Sequence, residues 1–282
     1  MTFLRKWEEK IFTAMLKLAT LFIVLTLLLI IGTIIYKGYP SFKISMFTQT
    51  PKGGFYLGKE GGILNAIIGS LYLSFGATIV AFLIGVPVAL YLNVYAAHSR
   101  FAGFIRLCLD ILVGIPSIVF GAFGFIVMLT VGLNVSLLAG IITVALLILP
   151  IIIRAIDEVI MTVPKELYEA SYSLGATQWQ TAIQVIVRQT MPGIVTAFLL
   201  GFGRAIGDAA SVLFTAGFTD NIPTNILKPA ATLPLAIFFQ LSSPIAEVRE
   251  RAYAAAMLLT LIILVVSLVS RALTHRFQKQ IV

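Results

Sequence analysis

Two charged side chains, Arg204 and Asp208, interrupt an apolar stretch that runs from Ile194 to Phe218. An arginine in hydrocarbon is costly, and such residues usually face a protein interior or a water-filled cavity. A guanidinium stays charged and can bind an oxyanion through two parallel hydrogen bonds. Asp208 lies four residues after Arg204, on the same helix face, where the two could also neutralise each other. The pair therefore predicts either an anion pathway or a structural ion pair.

The elements that carry this pair must cross a membrane. Of the 282 residues, 59% are hydrophobic and 11% are charged, whereas soluble domains are about 25% charged. This composition, with a mean hydropathy of +1.02, predicts an all-α, polytopic membrane protein. The net charge of +8 fits basic loops on the cytoplasmic side better than nucleic-acid binding. The single cysteine, Cys108, excludes a disulfide framework within the chain.

Six apolar stretches are long enough to cross a bilayer, which takes about 20 residues each. The predicted spans are 11–36, 64–95, 107–132, a fourth that ends near Arg154, 183–217 and 253–273. Pro87 predicts a tilt or a break in the second span. Pro116 and Ser117 predict either an ordinary kink in the third span or a break whose backbone lines a cavity.

Six spans would place both termini on one side of the membrane. Twelve of the twenty Lys and Arg residues then lie on that side and seven lie on the other, with Arg204 inside a span. Because basic residues concentrate in cytoplasmic loops, this distribution predicts a multi-pass inner-membrane protein with both termini in the cytoplasm.

The polar segment 157–180 predicts a helix, a sharp turn and a second helix. Pro164 followed by Glu166 and Glu169 favours a helix start, because proline suits the first turn and acidic side chains suit the positive helix end. Gly175 can adopt the left-handed conformation that ends a helix, and Thr177-Gln178-Trp179-Gln180 forms a capping box. The same pattern is also typical of an amphipathic connector at the membrane surface.

The residues Glu169-Ala170-Ser171, followed after three positions by Gly175, resemble the EAA loop of binding-protein-dependent ABC importer permeases. The stretches GGILNAIIGSLYLS, DILVGIPSIVFG and GRAIGDAASVLFTAG resemble the PstA-type members that serve phosphate importers, over roughly residues 60–275. The sequence departs from this family at Val187-Arg188, where Leu-Pro is common, and at Asp208, where glutamate is usual.

This resemblance implies a type I ABC importer permease fold in one domain, residues 1–282. Within it, residues 1–60 would form the first span and an external loop, 61–275 the permease core, and 157–180 a cytoplasmic coupling loop. The residues that would couple to an ATPase are Glu166, Glu169, Ala170 and Gly175. The residues that would line the substrate pathway are Arg204, Asp208 and Arg154. The implied partners are a PstC-like second permease, two PstB-like ATPase subunits and an external phosphate-binding protein.

No sequence motif predicts catalysis or a metal site in this chain. There is no Walker A motif, no GxSxG and no HExxH, and His98 and His275 lack metal-ligand spacing. The chain is therefore expected to need no cofactor, and ATP would be used by a partner. Two alternatives stay open: a permease for another oxyanion (phosphonate, sulfate or molybdate), and an ion-coupled secondary carrier that uses Arg204 and Asp208.

Three further expectations concern charged residues near the membrane boundary. Arg106 and Asp110 could form a structural pair at i,i+4 spacing. Arg154 could be an anchor that extends its charge to the membrane edge. The loop between Lys52 and Lys59 could meet an anionic substrate or the binding protein, although solvated loop charges are the commoner case.

Overall fold

A computed structural model describes residues 2–52, 60–97 and 99–278 of the protein. The described residues are mostly helical and include one short antiparallel strand pair in which Pro51 lies opposite Gly61. In chain order the elements are α1 (Thr2–Gly38), α2 (Ile44–Thr48), β1 (Pro51–Lys52), β2 (Glu60–Gly61), α3 (Leu64–Leu90), α4 (Arg100–Gly114), α5 (Ser117–Thr130), α6 (Leu137–Met161), α7 (Lys165–Ser173), α8 (Gln178–Gln180), α9 (Val187–Ile206), α10 (Leu233–Leu241) and α11 (Ala246–Gln278).

Five helical runs in the described ranges are long and apolar enough to cross a membrane. They are Trp7–Ser41, Leu64–Tyr95, Leu137–Met161, Gln178–Ile206 and Ala246–Leu273. The predicted third span is instead a pair of helices, α4 and α5, that are bent by 101° at their junction. The six predicted crossings are obtained only when this bent pair counts as one span.

The bend between α4 and α5 follows from Pro116. Its ring disfavours a helical conformation at the preceding residue, and Ile115 is extended, with φ −73° and ψ 132°. Pro116 itself has ψ 137° and precedes the first residue of α5, a position where its missing N–H costs nothing. Of the two alternatives for the third span, an ordinary kink or a break, the structure therefore shows a break. In contrast, α3 continues through Pro87 and widens into a π-helical segment only at Tyr91–Tyr95.

The predicted fifth span, 183–217, is wrong at its C-terminal end. Helix α9 ends at Ile206, and the chain then forms turns up to Gly217, whose φ is +75°. The side chain of Asp208 accepts a hydrogen bond from the Ser211 backbone N–H at 2.9 Å, which offers the backbone a local partner in place of the helical one. Hydropathy could not reveal this end, because the sequence is equally apolar on both sides of it.

The turn segment 207–217 is buried against α5 and α6. A Cβ added at Gly121 of α5 would lie 2.9 Å from the carbonyl oxygens of Ala210 and Ser211. The Ser136 N–H, at the start of α6, donates to the Thr215 carbonyl at 3.0 Å. Non-helical backbone is tolerated at membrane depth only where protein or water satisfies it, and these contacts provide that protein environment.

The core lies where α3 packs along α6 and α6 packs along α9. Ile148, Ile152 and Ile156 of α6 are fully buried in it. By contrast, α1 packs mainly on α11 and leaves large apolar side chains such as Phe22 exposed, as expected for a helix surrounded by lipid. Helix α6 continues to Met161, so Asp157 and Glu158 belong to this helix and not to the loop in which the sequence pattern placed them.

Candidate substrate pathway and coupling surface

Helix α7 is fixed to the protein on one side. Val163, just before it, is buried, and Tyr168 packs against the core. Ser171 is also buried, and its Oγ lies 2.8 Å from Thr181 Oγ1 in the next helical segment. Burial, with a smaller effect from Tyr172, raises the pKa of Tyr168 above its ordinary value. Helix α7 is therefore held both to the core and to the segment that leads into α9.

The turn after α7 has the geometry that the sequence predicted. Gly175 has a φ of +83°; its N–H donates to the Tyr172 carbonyl, and the Ala176 N–H donates to the Ser171 carbonyl. These two bonds form a Schellman motif. The capping box is present as well, because Thr177 Oγ1 accepts from the Gln180 N–H and Gln180 Oε1 accepts from the Thr177 N–H. The helix–turn–helix prediction for this segment is confirmed.

The opposite side of α7 is exposed. Glu166, Glu169 and Ala170 all lie on this exposed side. Leu174, directly after α7, is 89% exposed, and Trp179 of α8 is 65% exposed, although both are large and apolar. An exposed apolar patch rimmed by charged residues is typical of a protein–protein contact. A helix that is anchored on one side, with exposed charged and apolar side chains on its other side and in the turn and helix that follow, is suited to receive a partner chain.

A buried carboxylate, Asp157, joins three helical segments near the α7 end of the bundle. Arg106 of α4 donates from Nε to Asp157 Oδ2 at 3.0 Å and from Nη2 to Oδ1 at 2.9 Å. Asn93, in the π-helical end of α3, donates to Oδ1 at 2.7 Å. Arg154 of α6 donates from Nη1 to Oδ2 at 3.1 Å. Because Asp157 is fully buried, these donors replace the water that its charge would otherwise require.

The expected pair between Arg106 and Asp110 does not form, and this prediction was wrong. Arg106 turns to Asp157, while Asp110 Oδ1 lies 2.7 Å from Arg154 Nε. A surface i,i+4 pair stabilises a helix by only about 0.2–0.5 kcal/mol, whereas an uncompensated buried charge costs about 3–5 kcal/mol. The buried carboxylate therefore decides where Arg106 points.

Arg154 contacts three carboxylates at once. Besides Asp110 and Asp157, its Nη2 lies 3.8 Å from Glu158 Oε1. The two arginines and three carboxylates of this group carry a formal charge of −1 (two positive, three negative). Instead of an isolated anchor at the membrane edge, Arg154 is part of an ionic network that ties α4 to α6. This surplus of negative charge opposes the approach of an anion to Arg154.

Arg204 has a different environment. It lies in the last turn of α9, and its side chain is 46% exposed. Its Nη2 is 3.5 Å from Asp208 Oδ1, a longer separation than in the Asp157 pairs. The Asp208 side chain is only 3% exposed, and its other oxygen, Oδ2, accepts from the Ser211 N–H. The predicted proximity of the two charges is confirmed, although Asp208 lies in the turn beyond the helix.

Sequence reasoning overlooked a row of buried hydroxyl groups on α3. Ser70 Oγ accepts from the Leu233 N–H at 2.7 Å, and Thr78 Oγ1 donates to the Ser74 carbonyl. Ser74 Oγ is buried and has no hydrogen-bond partner among the described residues; the same is true of Ser211 Oγ in the turn after α9. The sequence signal that could have identified this row is the four-residue spacing of positions 70, 74 and 78, which places all three side chains on one face of the helix.

Two of the weaker expectations fall partly outside the described residues. His98 and residues 53–59 lie outside them, so only the Lys52 end of that loop has a position, in β1. Cys108 lies in α4 and is partly buried.

The family described as "Binding-protein-dependent transport system inner membrane component" matches residues 81–281. This range contains the α7 segment, the Asp157 network and the Arg204 turn. The chain belongs to this family. It is therefore a multi-pass permease subunit of the inner membrane.

Individual relatives extend the match beyond that range. The permease is 35% identical over 268 residues to the phosphate transport system permease protein PstA of Haemophilus influenzae, an alignment that covers 95% of this chain and 94% of the relative. In fold it resembles a chain of a bacterial alginate ABC transporter, with a TM-score of 0.61, 17% identity and coverage of 96% and 98% of the two chains.

A second structural neighbour is the MetNI methionine ABC transporter in an inward-facing conformation. The TM-score is 0.59 and the identity 22%, with 74% of this permease and 95% of that chain covered. At these identities the two neighbours establish the fold alone. The type I ABC importer permease fold predicted from the sequence is confirmed.

Proposed function

We propose that this permease forms one half of the translocation pathway of an ATP-driven importer of inorganic phosphate. The support for phosphate is the match to the phosphate transport permease of Haemophilus influenzae over nearly the full length of both chains. The observation that carries the site is the half-exposed guanidinium of Arg204 at the end of α9, held loosely by a single aspartate. An oxyanion that leaves water needs fixed donors of this kind.

Asp208 positions Arg204 without saturating it. One carboxylate oxygen faces the guanidinium at 3.5 Å and the other is engaged by the Ser211 N–H. A guanidinium has five N–H donors in a rigid fork, so a single long ion pair leaves donors for a phosphate oxygen. The role of Asp208 in the pathway is therefore to orient the Arg204 side chain and to balance its charge before phosphate binds.

Arg154 contributes to transport through structure. Its three carboxylate neighbours already occupy its guanidinium and leave a net negative group around it. We therefore assign anion contact to Arg204 first. Arg154 keeps α4 and α6 together directly before the segment that leads to α7.

Helix α7 couples the permease to a separate ATPase. Glu166, Glu169 and Ala170 lie on its exposed side, and Gly175 allows the turn that returns the chain to α9. The proposed assembly contains a PstC-like second permease, a PstB-like ATPase dimer and an external phosphate-binding protein. It places α7 and both termini in the cytoplasm, in agreement with the excess of basic residues on that side. ATP is hydrolysed by the partner, and this chain holds no cofactor.

The proposal can be tested by phosphate uptake in cells that carry the assembled transporter. Arg204→Gln should abolish most uptake while the membrane abundance of the permease stays normal. Arg271→Gln, which removes an exposed charge near the end of α11, is the matched control and should transport normally. Unchanged uptake by Arg204→Gln would exclude the pathway role.

Two further experiments distinguish a phosphate importer from a permease for another oxyanion and from a secondary carrier. Competition by sulfate, molybdate and phosphonate should leave phosphate uptake intact; strong inhibition by one of them would instead identify another oxyanion as the substrate. Glu169→Ala and Gly175→Val should reduce ATPase co-purification and uptake together. Uptake that persists without any ATPase subunit, and that collapses when the ion gradient is dissipated, would indicate a secondary carrier.

A further inference from the structure

Helix α1 and helix α11 meet closely at one membrane boundary. A Cβ added at Gly38 would lie 2.8 Å from the Tyr253 carbonyl oxygen, so only glycine permits this approach without a shift. Beside it, Lys37 Nζ lies 5.1 Å from the centroid of the Tyr253 ring, within range of a cation–π interaction. These two contacts fix the C-terminal end of α1 against the N-terminal part of α11.

A cavity of about 650 Å³ lies at this junction, which we call the α1–α11 cavity. Its charged and aromatic lining residues are Lys37, Arg249, Glu250, Tyr36, Tyr39 and Tyr253. Arg249 donates from Nη1 to the carbonyl oxygens of Ser243 and Pro244, at 3.2 and 3.1 Å, which steadies its guanidinium. The cavity thus carries two cations, one carboxylate and three tyrosines on two helices that are fixed to each other.

The position of the cavity indicates what surrounds it. The apolar runs Trp7–Ser41 and Ala246–Leu273 both have one end here, and tyrosine is enriched at the level of lipid headgroups. Toward the bilayer centre, α1 exposes large apolar side chains, including Ile30 and Ile35. A molecule in this cavity would therefore have its polar part at headgroup level and an apolar helix surface below it.

We propose that the α1–α11 cavity binds a phospholipid headgroup that contains both a phosphate and a primary ammonium group, as in phosphatidylethanolamine. Lys37 and Arg249 hold the phosphate and Glu250 holds the ammonium, while the acyl chains lie along the exposed face of α1. The mixture of charges favours this headgroup, because a purely anionic one would leave Glu250 facing negative charge. The proposal is independent of the transported substrate, since Arg204 lies on another helix.

The test uses the assembled transporter purified in detergent, with its thermal unfolding followed as lipid is added. Phosphatidylethanolamine should raise the unfolding temperature of the wild type at lower concentrations than phosphatidylglycerol or phosphatidylcholine. Lys37→Gln and Arg249→Gln should each weaken the apparent lipid affinity about fivefold. Glu250→Gln should remove the preference over phosphatidylglycerol. Lys43→Gln, which removes an exposed charge outside the cavity, is the matched control and should behave as the wild type.

Equal responses of wild type and of Lys37→Gln and Arg249→Gln would overturn the proposal, as would an equal effect of inorganic phosphate. A photoactivatable phosphatidylethanolamine on the wild-type transporter gives a readout that does not depend on variant folding. Crosslinks should map to residues 35–40 and 246–253, and crosslinks confined to other segments would refute the site.

Discussion

The two arginines that resemblance placed on the substrate pathway differ in what surrounds them. Arg154 has carboxylate oxygens at 2.7, 3.1 and 3.8 Å, and one of these belongs to the fully buried Asp157. Arg204 has one carboxylate at 3.5 Å and nearly half of its side chain exposed. A guanidinium whose N–H groups already contact several carboxylates is suited to hold helices together. A guanidinium with one distant carboxylate partner keeps N–H groups that can bind an anion. The number of carboxylates around each arginine is the basis of the two different roles that we propose for them.

The same contrast applies to the regions that contain them. The Asp157 network lies within α4, α6 and the π-helical segment after α3, and α6 leads directly to α7, where the proposed coupling requires stiffness. The Arg204 site lies where α9 ends and the chain forms turns, so that polar backbone and side-chain groups become available away from regular helix hydrogen bonding. Three predictions test this division between a structural and a transport arginine, and a fourth concerns a carboxylate that lacks such partners.

The largest effect is expected at Asp157. Asp157→Ala should lower the free energy of unfolding by about 3–5 kcal/mol, because it leaves Arg106 and Arg154 partly buried without their shared carboxylate. Thermal unfolding in detergent and membrane abundance measure this loss. The matched control is Glu158→Ala, a 68% exposed partner of Arg154, which should change stability by less than about 1 kcal/mol. Equal losses in both variants would contradict the central role of Asp157.

The second prediction compares the arginines directly. Arg204→Gln should lower phosphate uptake about 10- to 100-fold at normal abundance, since a charge-assisted hydrogen bond contributes about 1.5–3 kcal/mol. Arg154→Gln should instead lower the unfolding temperature, with uptake per folded molecule much less affected. Uptake normalised to folded, membrane-inserted protein distinguishes the two. The comparison breaks down if Arg154→Gln keeps wild-type stability and yet loses uptake per molecule.

A smaller effect is expected at the outer carboxylate of the network. Asp110 is 53% exposed, so its 2.7 Å pair with Arg154 is solvated. Asp110→Asn should therefore cost about 0.5 kcal/mol or less, visible as a slight fall of the unfolding temperature that disappears at high salt. A loss as large as that of Asp157→Ala would mean that exposure does not decide which carboxylates matter.

The smallest effect concerns Asp220, a carboxylate without the partners that Asp157 has. Its Oδ1 is buried and has no hydrogen-bond partner in the described ranges, and burial raises its pKa above the ordinary value for a carboxyl group. Because the folded pKa is the higher one, the charged form destabilises the fold at neutral pH, and this cost is relieved as the pH falls through the folded pKa.

Asp220→Asn should therefore be slightly more stable than the wild type at neutral pH. The difference should shrink as the pH falls through the raised pKa and vanish below the ordinary carboxyl range. Thermal unfolding of both proteins across an acid pH series measures it. A difference that grows on acidification would show that Asp220 has a stabilising partner, as Asp157 does.

Local features were predictable from the sequence. The spans follow from long apolar runs, and the bend at Pro116 from the geometry of the residue before a proline. The α7 segment was predicted in detail, because Gly175 and Thr177 act on backbone groups within a few residues of themselves. The resemblance of this segment to EAA loops also indicated the family, because the loop pattern is a short run of residues at fixed spacing.

The ionic partners and the end of α9 were decided by tertiary structure. Arg106 has a carboxylate four residues away on its own helix, yet the packing of α4 on α6 brings it to buried Asp157, whose need for donors is greater. Similarly, hydropathy does not mark the end of α9 at Ile206, where Asp208 accepts from the Ser211 N–H and residues 210–211 pack against Gly121. The sequence alone identified Arg204 and Asp208 as charged residues within an apolar stretch. Local spacing also predicted the pair that Arg204 forms with Asp208. The pairs of Arg106 with Asp157 and of Arg154 with Asp110 depend on the packing of α4 against α6, about which local spacing contains no information.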